Sequence, residues 1–355
     1  MIKLLVVDDS ALMRRQLSTL FQAESDFEVR QARNGREAVA ENRDFQPDVV
    51  TLDINMPEMD GITALSLIMA ERPVPVVMVS SLTEKGALAT FEALNLGAVD
   101  YIAKPGGTIS LSIGEIKDEL VNKVRSAARS RPKVQGRAKG LAQRLREERE
   151  QSAPRPVAVR RGVAGDGVVV IGVSTGGPRT LEEILPQLPL DFPWPVLVAQ
   201  HMPAAFTRSF AERLNSICQL EVVEVASPMT IESGHVYIAK GGADMLVVQR
   251  AGKPTLIAKP ESKAHLWHPS VELLGRSVLE HYDAARVLGV MLTGMGYDGA
   301  DAFAEIKKGG GRTIAESEET AVVFGMPAEL IERGGASVIL PLEKIANQIN
   351  VWAGR

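Results

Sequence analysis

The chain has 355 residues, a formal net charge of −4 and one cysteine, Cys218. That length accommodates two domains of ordinary size, each with its own core. The weak net charge recruits neither nucleic acid nor a membrane surface, one cysteine excludes an internal disulfide and suits a reducing cytosol, and no apolar run nears the roughly 20 residues that span a bilayer. The N-terminus opens directly on a strand with no signal peptide, so a soluble, cytoplasmic protein is expected.

In chain order, the first buried strand, IKLLVV, ends in the adjacent carboxylates Asp8 and Asp9. The strand DVVTLD ends in Asp53, PVPVVMVS ends in Ser80, and AVDYIA leads into Lys104 and Pro105. Four such ends in one parallel sheet gather three acids, a hydroxyl and a lysine at one rim. Clustered carboxylates repel one another, so the set is tolerable only around a divalent cation. Hard oxygen ligands with open water positions suit Mg²⁺ beside phosphate oxygens. Ser80 and Lys104 would then stabilise a phosphoryl group on Asp53.

After the helix-like IGEIKDELVNKVRSAAR, hydrophobic periodicity fades. Residues 131–165 are rich in Arg, Lys, Gly, Pro and Ala, with acids confined to Glu147, Glu148 and Glu150. This reads as a basic flexible linker, with GLAQRLREEREQ a candidate short helix.

The second half begins with a β-branched run, Val168 to Ile171, which feeds the turn Gly172-Val173-Ser174-Thr175-Gly176-Gly177. Pro178 then opens an amphipathic stretch, TLEEILPQL. Strand, sharp glycine turn and helix is the geometry that lifts a serine hydroxyl out of a sheet. The same string also fits a glycine-rich phosphate cradle, and alone it does not decide between them. A serine nucleophile needs a base, and the base needs an orienting partner. All five histidines lie in this half. His201 follows the strand PVLVAQ, and Asp298 follows VLGVML in the glycine-rich TGMGYDGA. With Ser174, both fall beyond strand carboxyl ends, where open parallel sheets bind ligands. His235, His265, His268 and His281 suit packed or solvated roles. The order Ser, His, Asp is not that of an ordinary α/β-hydrolase. Thr175 is a candidate to position His201, and the backbone around Gly294-Met295-Gly296 to receive an oxyanion. Between Gly234 and Lys259, three strand-like segments separated by Gly-Gly and Gly-Lys-Pro turns predict an antiparallel meander at one sheet edge. The expected fold is α/β, with two doubly wound parallel-sheet domains at 1–130 and 166–355.

These residues carry a family resemblance. Residues 1 to about 130 resemble a two-component response-regulator receiver domain, flavodoxin-like in fold. The resemblance assigns Asp8, Asp9 and Asp53 to Mg²⁺, Asp53 to phosphorylation, and Ser80, Tyr101 and Lys104 to the switch. Met56-Pro57 and Asp60-Gly61 match the loop after the phosphoacceptor. Residues 166–355 resemble the Rossmann-like catalytic domain of chemoreceptor methylesterases, on GVSTGGP, AQHMP, HPSVELL, MLTGMGYDGA and VVFGMP. The whole is similar to the protein-glutamate methylesterases of bacterial chemotaxis. That resemblance implies a triad of Ser174, His201 and Asp298, with Met295 at the oxyanion and no cofactor for the esterase. It implies glutamate γ-methyl esters on chemoreceptor cytoplasmic helices as substrate, with glutamine deamidation as a second activity. A chemotaxis histidine kinase would be the phosphodonor, and a monomer is expected. A receiver that blocks Ser174 until phosphorylated is the expected regulation. Val173 departs from an expected alanine and Tyr297 from a small polar residue, the latter beside Asp298, where it could tune substrate access. Arg179 and Arg208 are candidate cations for an anionic substrate. Two other classes stand beside this reading. One is a phosphate or nucleotide sensor using GVSTGG as its cradle. The other is a transcription factor, which the second half opposes by lacking a helix-turn-helix pattern.

Overall fold

Short apolar strands alternating with capped helices build the N-terminal unit. The structure, a computed structural model, describes residues 1–80, 83–104, 109–130, 167–261 and 265–354, which divide between two units. The expected linker 131–165, with its GLAQRLREEREQ segment, lies outside the described residues, as does Pro105.

The first unit runs β1 (Ile2–Val7), α1 (Ala11–Gln22), β2 (Phe27–Ala32), α2 (Gly35–Asp44), β3 (Val49–Asp53), α3 (Gly61–Glu71), β4 (Val76–Ser80), α4 (Glu84–Leu96), β5 (Asp100–Ala103) and α5 (Ile109–Arg129). Its strands are parallel in the order β2-β1-β3-β4-β5. This is the flavodoxin-like order, with its ligand crevice where the chain reverses between β1 and β3. Ser10, Asn34, Asp60 and Thr83 each accept the backbone N–H three residues on. Each cap satisfies a donor the helix leaves open, for about 1 kcal/mol. The sequence reading names four strands, and the fifth is β2. Glu28, Arg30 and Gln31 of FEVRQA are exposed at the sheet edge, so no apolar run marks it.

The second unit opens with β6 (Val168–Val173), α6 (Gly177–Ile184), β7 (Val196–Gln200), α7 (Ala204–Ile217), β8 (Glu221–Val225) and β9 (Met229–Thr230). It continues through β10 (His235–Ala239), β11 (Ala243–Arg250), β12 (Lys253–Pro260), α8 (Val271–Leu279) and β13 (Val287–Met291). It closes with α9 (Ala300–Lys308), β14 (Arg312–Glu316), α10 (Met326–Glu332), β15 (Val338–Leu340) and α11 (Leu342–Ala353). Seven strands form a parallel sheet in the order β15-β14-β13-β6-β7-β10-β8. The chain starts in mid-sheet at β6, builds outward through β7, β8 and β10, then returns to add β13, β14 and β15 on the other side. That reversal makes a topological switch point beside β6. Val168, Val169, Val170, Ile171 and Val173 are all fully buried. Each such side chain stabilises the fold by about 1.5–3 kcal/mol.

The expected meander divides between two sheets. β10 enters the parallel sheet between β7 and β8. β11 and β12 pair antiparallel and take β9 as third strand, in a separate three-stranded sheet rather than at an edge of the parallel one. The reason is burial: four of the five residues of HVYIA are buried, as a strand covered on both faces of a parallel sheet must be. Among the described residues, no helix is long and apolar enough to cross a membrane.

Candidate active site and phosphoacceptor site

Strands β13, β6 and β7 lie side by side, and their backbone ladder continues past all three carboxyl ends. Leu292 N–H donates to Gly172 O at 2.9 Å, Ser174 N–H to Thr293 O at 2.9 Å, and His201 N–H to Val173 O at 3.1 Å. Ser174 is thereby fixed between two neighbouring strand extensions. Gly176 then takes a φ of +80°, which a side chain would strain, and the chain turns sharply into α6. The Ser174 hydroxyl donates to His201 Nδ1 at 3.1 Å, and His201 Nε2–H donates to Asp298 Oδ2 at 2.9 Å. Nδ1 faces the serine, so the proton-accepting tautomer is the one protonated at Nε2, where the carboxylate holds it.

Asp298 is buried and fully occupied. Its Oδ1 accepts from Ser270 Oγ and Glu272 N–H, both at 3.0 Å, and its Oδ2 also accepts from Val271 N–H at 2.7 Å. These donors form the start of α8, where the positive end of the helix dipole favours an anion. Burial pushes the Asp298 carboxyl up, but the hydrogen bond and charge of His201, with the N–H groups of Val271 and Glu272, outweigh it. The carboxyl is held below its ordinary value. Ser270 was not singled out in the sequence, although a serine directly before the apolar run VELL signals a helix cap.

Three further residues missed by sequence reasoning brace the site. Buried Gln200 donates through Nε2 to the carbonyls of Ser174 at 2.9 Å and His201 at 3.1 Å. Thr293 Oγ1 donates to Thr175 O at 2.9 Å, and Thr293 N–H donates at 2.9 Å to the fully buried Glu316. Thr175 is itself buried. Ser174 and Gly177 N–H groups bond to Thr293 O and Ser174 O, which takes two donors away from a phosphate cradle. Gly294 N–H is committed to Val323 O at 3.0 Å, so of the expected oxyanion set it is not a donor. Met295 is half-buried beside it. Gly294 instead serves by lacking a side chain: a Cβ there would sit 2.7 Å from Ser174 Cβ and 2.4 Å from Met326 Sδ. Gly294→Ala should therefore displace the serine turn, cutting hydrolysis by about 10² and destabilising the unit by about 1–3 kcal/mol. Steady-state assays and thermal melts read both effects.

Arg179 and Arg208 are each paired one turn on, with Glu183 at 3.3 Å and Glu212 at 3.1 Å. His235 stacks on Tyr237, and His268 bonds to Asp244. Cys218 is buried, and burial, then the charge of Glu182, pushes its thiol up to about 12, which leaves it inert.

In the first unit, carboxylate oxygens of Asp8, Asp9 and Asp53 lie within 4.8 Å of one another. Lys104 Nζ sits 2.9 Å from Asp8 and 2.8 Å from Asp53. Burial pushes the Asp53 carboxyl up, Lys104 pulls it back and Asp8 pushes it further; it stands above its ordinary value. An all-oxygen set with two buried acids and one, Asp9, at the exposed mouth fits a divalent cation. Ser80 Oγ donates to Gly86 O at 3.2 Å, in the first turn of α4. Tyr101 is buried on β5, with Lys123 Nζ 5.4 Å from its ring centre.

Residues 169–349 match the CheB methylesterase family, and residues 4–112 match the response regulator receiver domain. The chain is 53% identical over 365 residues to a Rhodospirillum rubrum protein named protein-glutamate methylesterase/protein-glutamine glutaminase 3, covering 100% of this chain and 97% of that one. A Caldanaerobacter subterraneus protein-glutamate methylesterase/protein-glutamine glutaminase is 51% identical over 349 residues, covering 98% and 95%. The crystal structure of the Thermotoga maritima CheB methylesterase catalytic domain superimposes with a TM-score of 0.51 at 40% identity, over 53% of this chain and 99% of that one. The chain therefore belongs to the CheB methylesterase family, with a response-regulator receiver domain preceding its methylesterase domain.

Proposed function

We propose that this chain is a phosphorylation-regulated serine esterase of chemotactic adaptation. Its substrates are glutamate γ-methyl esters on the cytoplasmic helices of chemoreceptors, which it converts to glutamate and methanol, and receptor glutamines, which it deamidates. The observation that carries the reading is the hydrogen-bonded line Ser174–His201–Asp298 at the switch point of the sheet. Ser174 Oγ attacks the γ-carbonyl while His201 Nδ1 takes its proton, and Asp298 stabilises the imidazolium. The Nδ1–H then protonates the leaving group, which departs as methanol from an ester or as ammonia from a glutamine. Water, deprotonated by Nδ1, attacks the acyl carbonyl, and the Nδ1–H returns that proton to Ser174 Oγ as glutamate leaves. On this reading Met295 N–H, to which the family resemblance points, is the oxyanion donor, and such a donor contributes about 10²–10³ in rate. Thr175, next to the nucleophile, is the residue this reading gives the task of positioning His201.

The receiver site supplies the control. Asp8, Asp9 and Asp53 would hold Mg²⁺, whose charge offsets theirs and that of an incoming phosphoryl group. A chemotaxis histidine kinase is the proposed phosphodonor. Once Asp53 carries a phosphoryl group, Lys104 turns to it from the two acids, and the Ser80 hydroxyl leaves Gly86 O for it, with Tyr101 following as the switch aromatic. Two such charge-assisted bonds supply about 3–6 kcal/mol, against the roughly 5.5 kcal/mol that takes a two-state equilibrium from 1:99 to 99:1.

The test is methanol release from methylated receptor, with and without a phosphodonor. Removing residues 1 to about 150 should raise basal release. Asp53→Asn should leave it low and insensitive to donor, and chelating Mg²⁺ should act on the full chain alone. If the isolated second domain is no faster than the unphosphorylated chain, the receiver activates rather than restrains.

A further inference from the structure

We propose that Trp267 is a positioning residue for the esterase site, fixing the plane of the His201 ring and stabilising the charge that ring acquires. The proposal rests on the reading of His201 as general base. The two rings are parallel within 2°, with centroids 5.7 Å apart. That is an offset stack at a separation where aromatic rings attract, and an indole face attracts a cation more strongly than it does a neutral ring.

The need for such a group follows from the hydrogen bonds. Ser174 holds His201 at Nδ1 and Asp298 holds it at Nε2. Two bonds define a line through the ring, and tilting about that line meets only their weak angular preference. A flat group on one face removes this freedom. When Nδ1 takes the serine proton, the ring becomes an imidazolium, and only then does the indole face contribute its full attraction. The contact therefore strengthens toward the transition state, which is the condition for raising kcat.

Trp267 is itself held from two sides. Tyr297 packs edge-on against it at 87° and 5.1 Å. Gly296 passes so close that a Cβ would lie 2.8 Å from Trp267 Cζ2. The chain behind it is anchored independently of His201: Asp244, fully buried on β11, bonds His268 Nδ1 at 3.0 Å and accepts from Ser270 N–H at 2.9 Å. Ser270 and Val271, next along, are donors to Asp298. One short stretch thus grips both the face of the histidine and the acid that orients it.

Full-length Trp267→Phe and Trp267→Leu, with saturating phosphodonor and Mg²⁺, are compared with wild type for methanol release from methylated receptor membranes. Trp267→Phe, which keeps an aromatic face, should stay within about threefold of wild-type kcat. Trp267→Leu should lose about ten- to thirtyfold in kcat at unchanged KM, the range a desolvated cation–π contact supplies. The chain has three tryptophans, so the emission difference between wild type and Trp267→Phe isolates this one. A stacked imidazole quenches indole emission, and His201→Ala should brighten that component. This measurement still decides if Trp267→Leu fails to fold. An unchanged kcat in Trp267→Leu overturns the proposal, as does a raised KM at full kcat, which would make Trp267 a substrate contact. So does an emission component indifferent to His201→Ala. A wild-type chain that releases no methanol overturns the esterase reading itself, and this proposal with it.

Discussion

Ser174→Ala should lower kcat for ester hydrolysis by about 10⁶ while leaving the fold intact. The two halves of that expectation have separate causes. Ser174 Oγ is the atom aimed at His201 Nδ1. The serine side chain is only half-buried, and the turn is held by backbone bonds from Ser174, Gly177 and His201. Losing the hydroxyl should therefore change stability by no more than about 0.5 kcal/mol. Methanol release read beside a thermal melt separates the two. Release above about one tenth of wild type, from a clean preparation, would remove Ser174 as nucleophile.

Asp298→Asn is the second large effect, and it should strike both activity and stability. Four groups face this carboxylate, namely Ser270 Oγ, Glu272 N–H, Val271 N–H and His201 Nε2, and in the active tautomer all four donate. A carboxylate accepts from all of them, whereas an amide offers one oxygen and turns its NH₂ toward at least one pair. Turned toward His201, it makes Nε2 the acceptor and moves the ring proton to Nδ1, where it faces Ser174 and removes the base. A fall in kcat of about 10⁴ follows. The buried donors left facing N–H cost a further 1–3 kcal/mol or so of stability. The pH dependence has a definite sign. Because the native Asp298 carboxyl lies below its ordinary value of 3.8, the stability it contributes is complete above that value and is lost as pH falls through the native one. The melting difference between wild type and variant should be largest near neutrality and shrink in acid. Near-normal turnover would mean that another acid orients His201. Asp301, one turn further on, is already paired with Arg333 at 2.7 Å.

Local chemistry was legible in the sequence because it depends on near neighbours. The run of β-branched residues before Ser174 and the glycine turn after it each act within a few positions along the chain. The placement of Asp8, Asp53, Ser174, His201 and Asp298 just past buried strands followed from the same patterns. Those patterns also set the limits of what could be read. The edge strand β2 carries too little apolar character to register, and β10 looked like part of a hairpin because its pairing partners, β7 and β8, lie outside the segment. Gln200, Ser270 and Thr293 sit inside AQHMP, HPSVELL and MLTGMGYDGA, which do not reveal what they bond, and Glu316 and Trp267 lie outside every motif. Each acquires its place only when β13, β6 and β7 come side by side and α8 brings its first turn against Asp298. Hydrogen bonds and ring stacks operate over a few ångströms, while these partners are separated by tens of residues. Strand order, which no local pattern encodes, decides which of them meet.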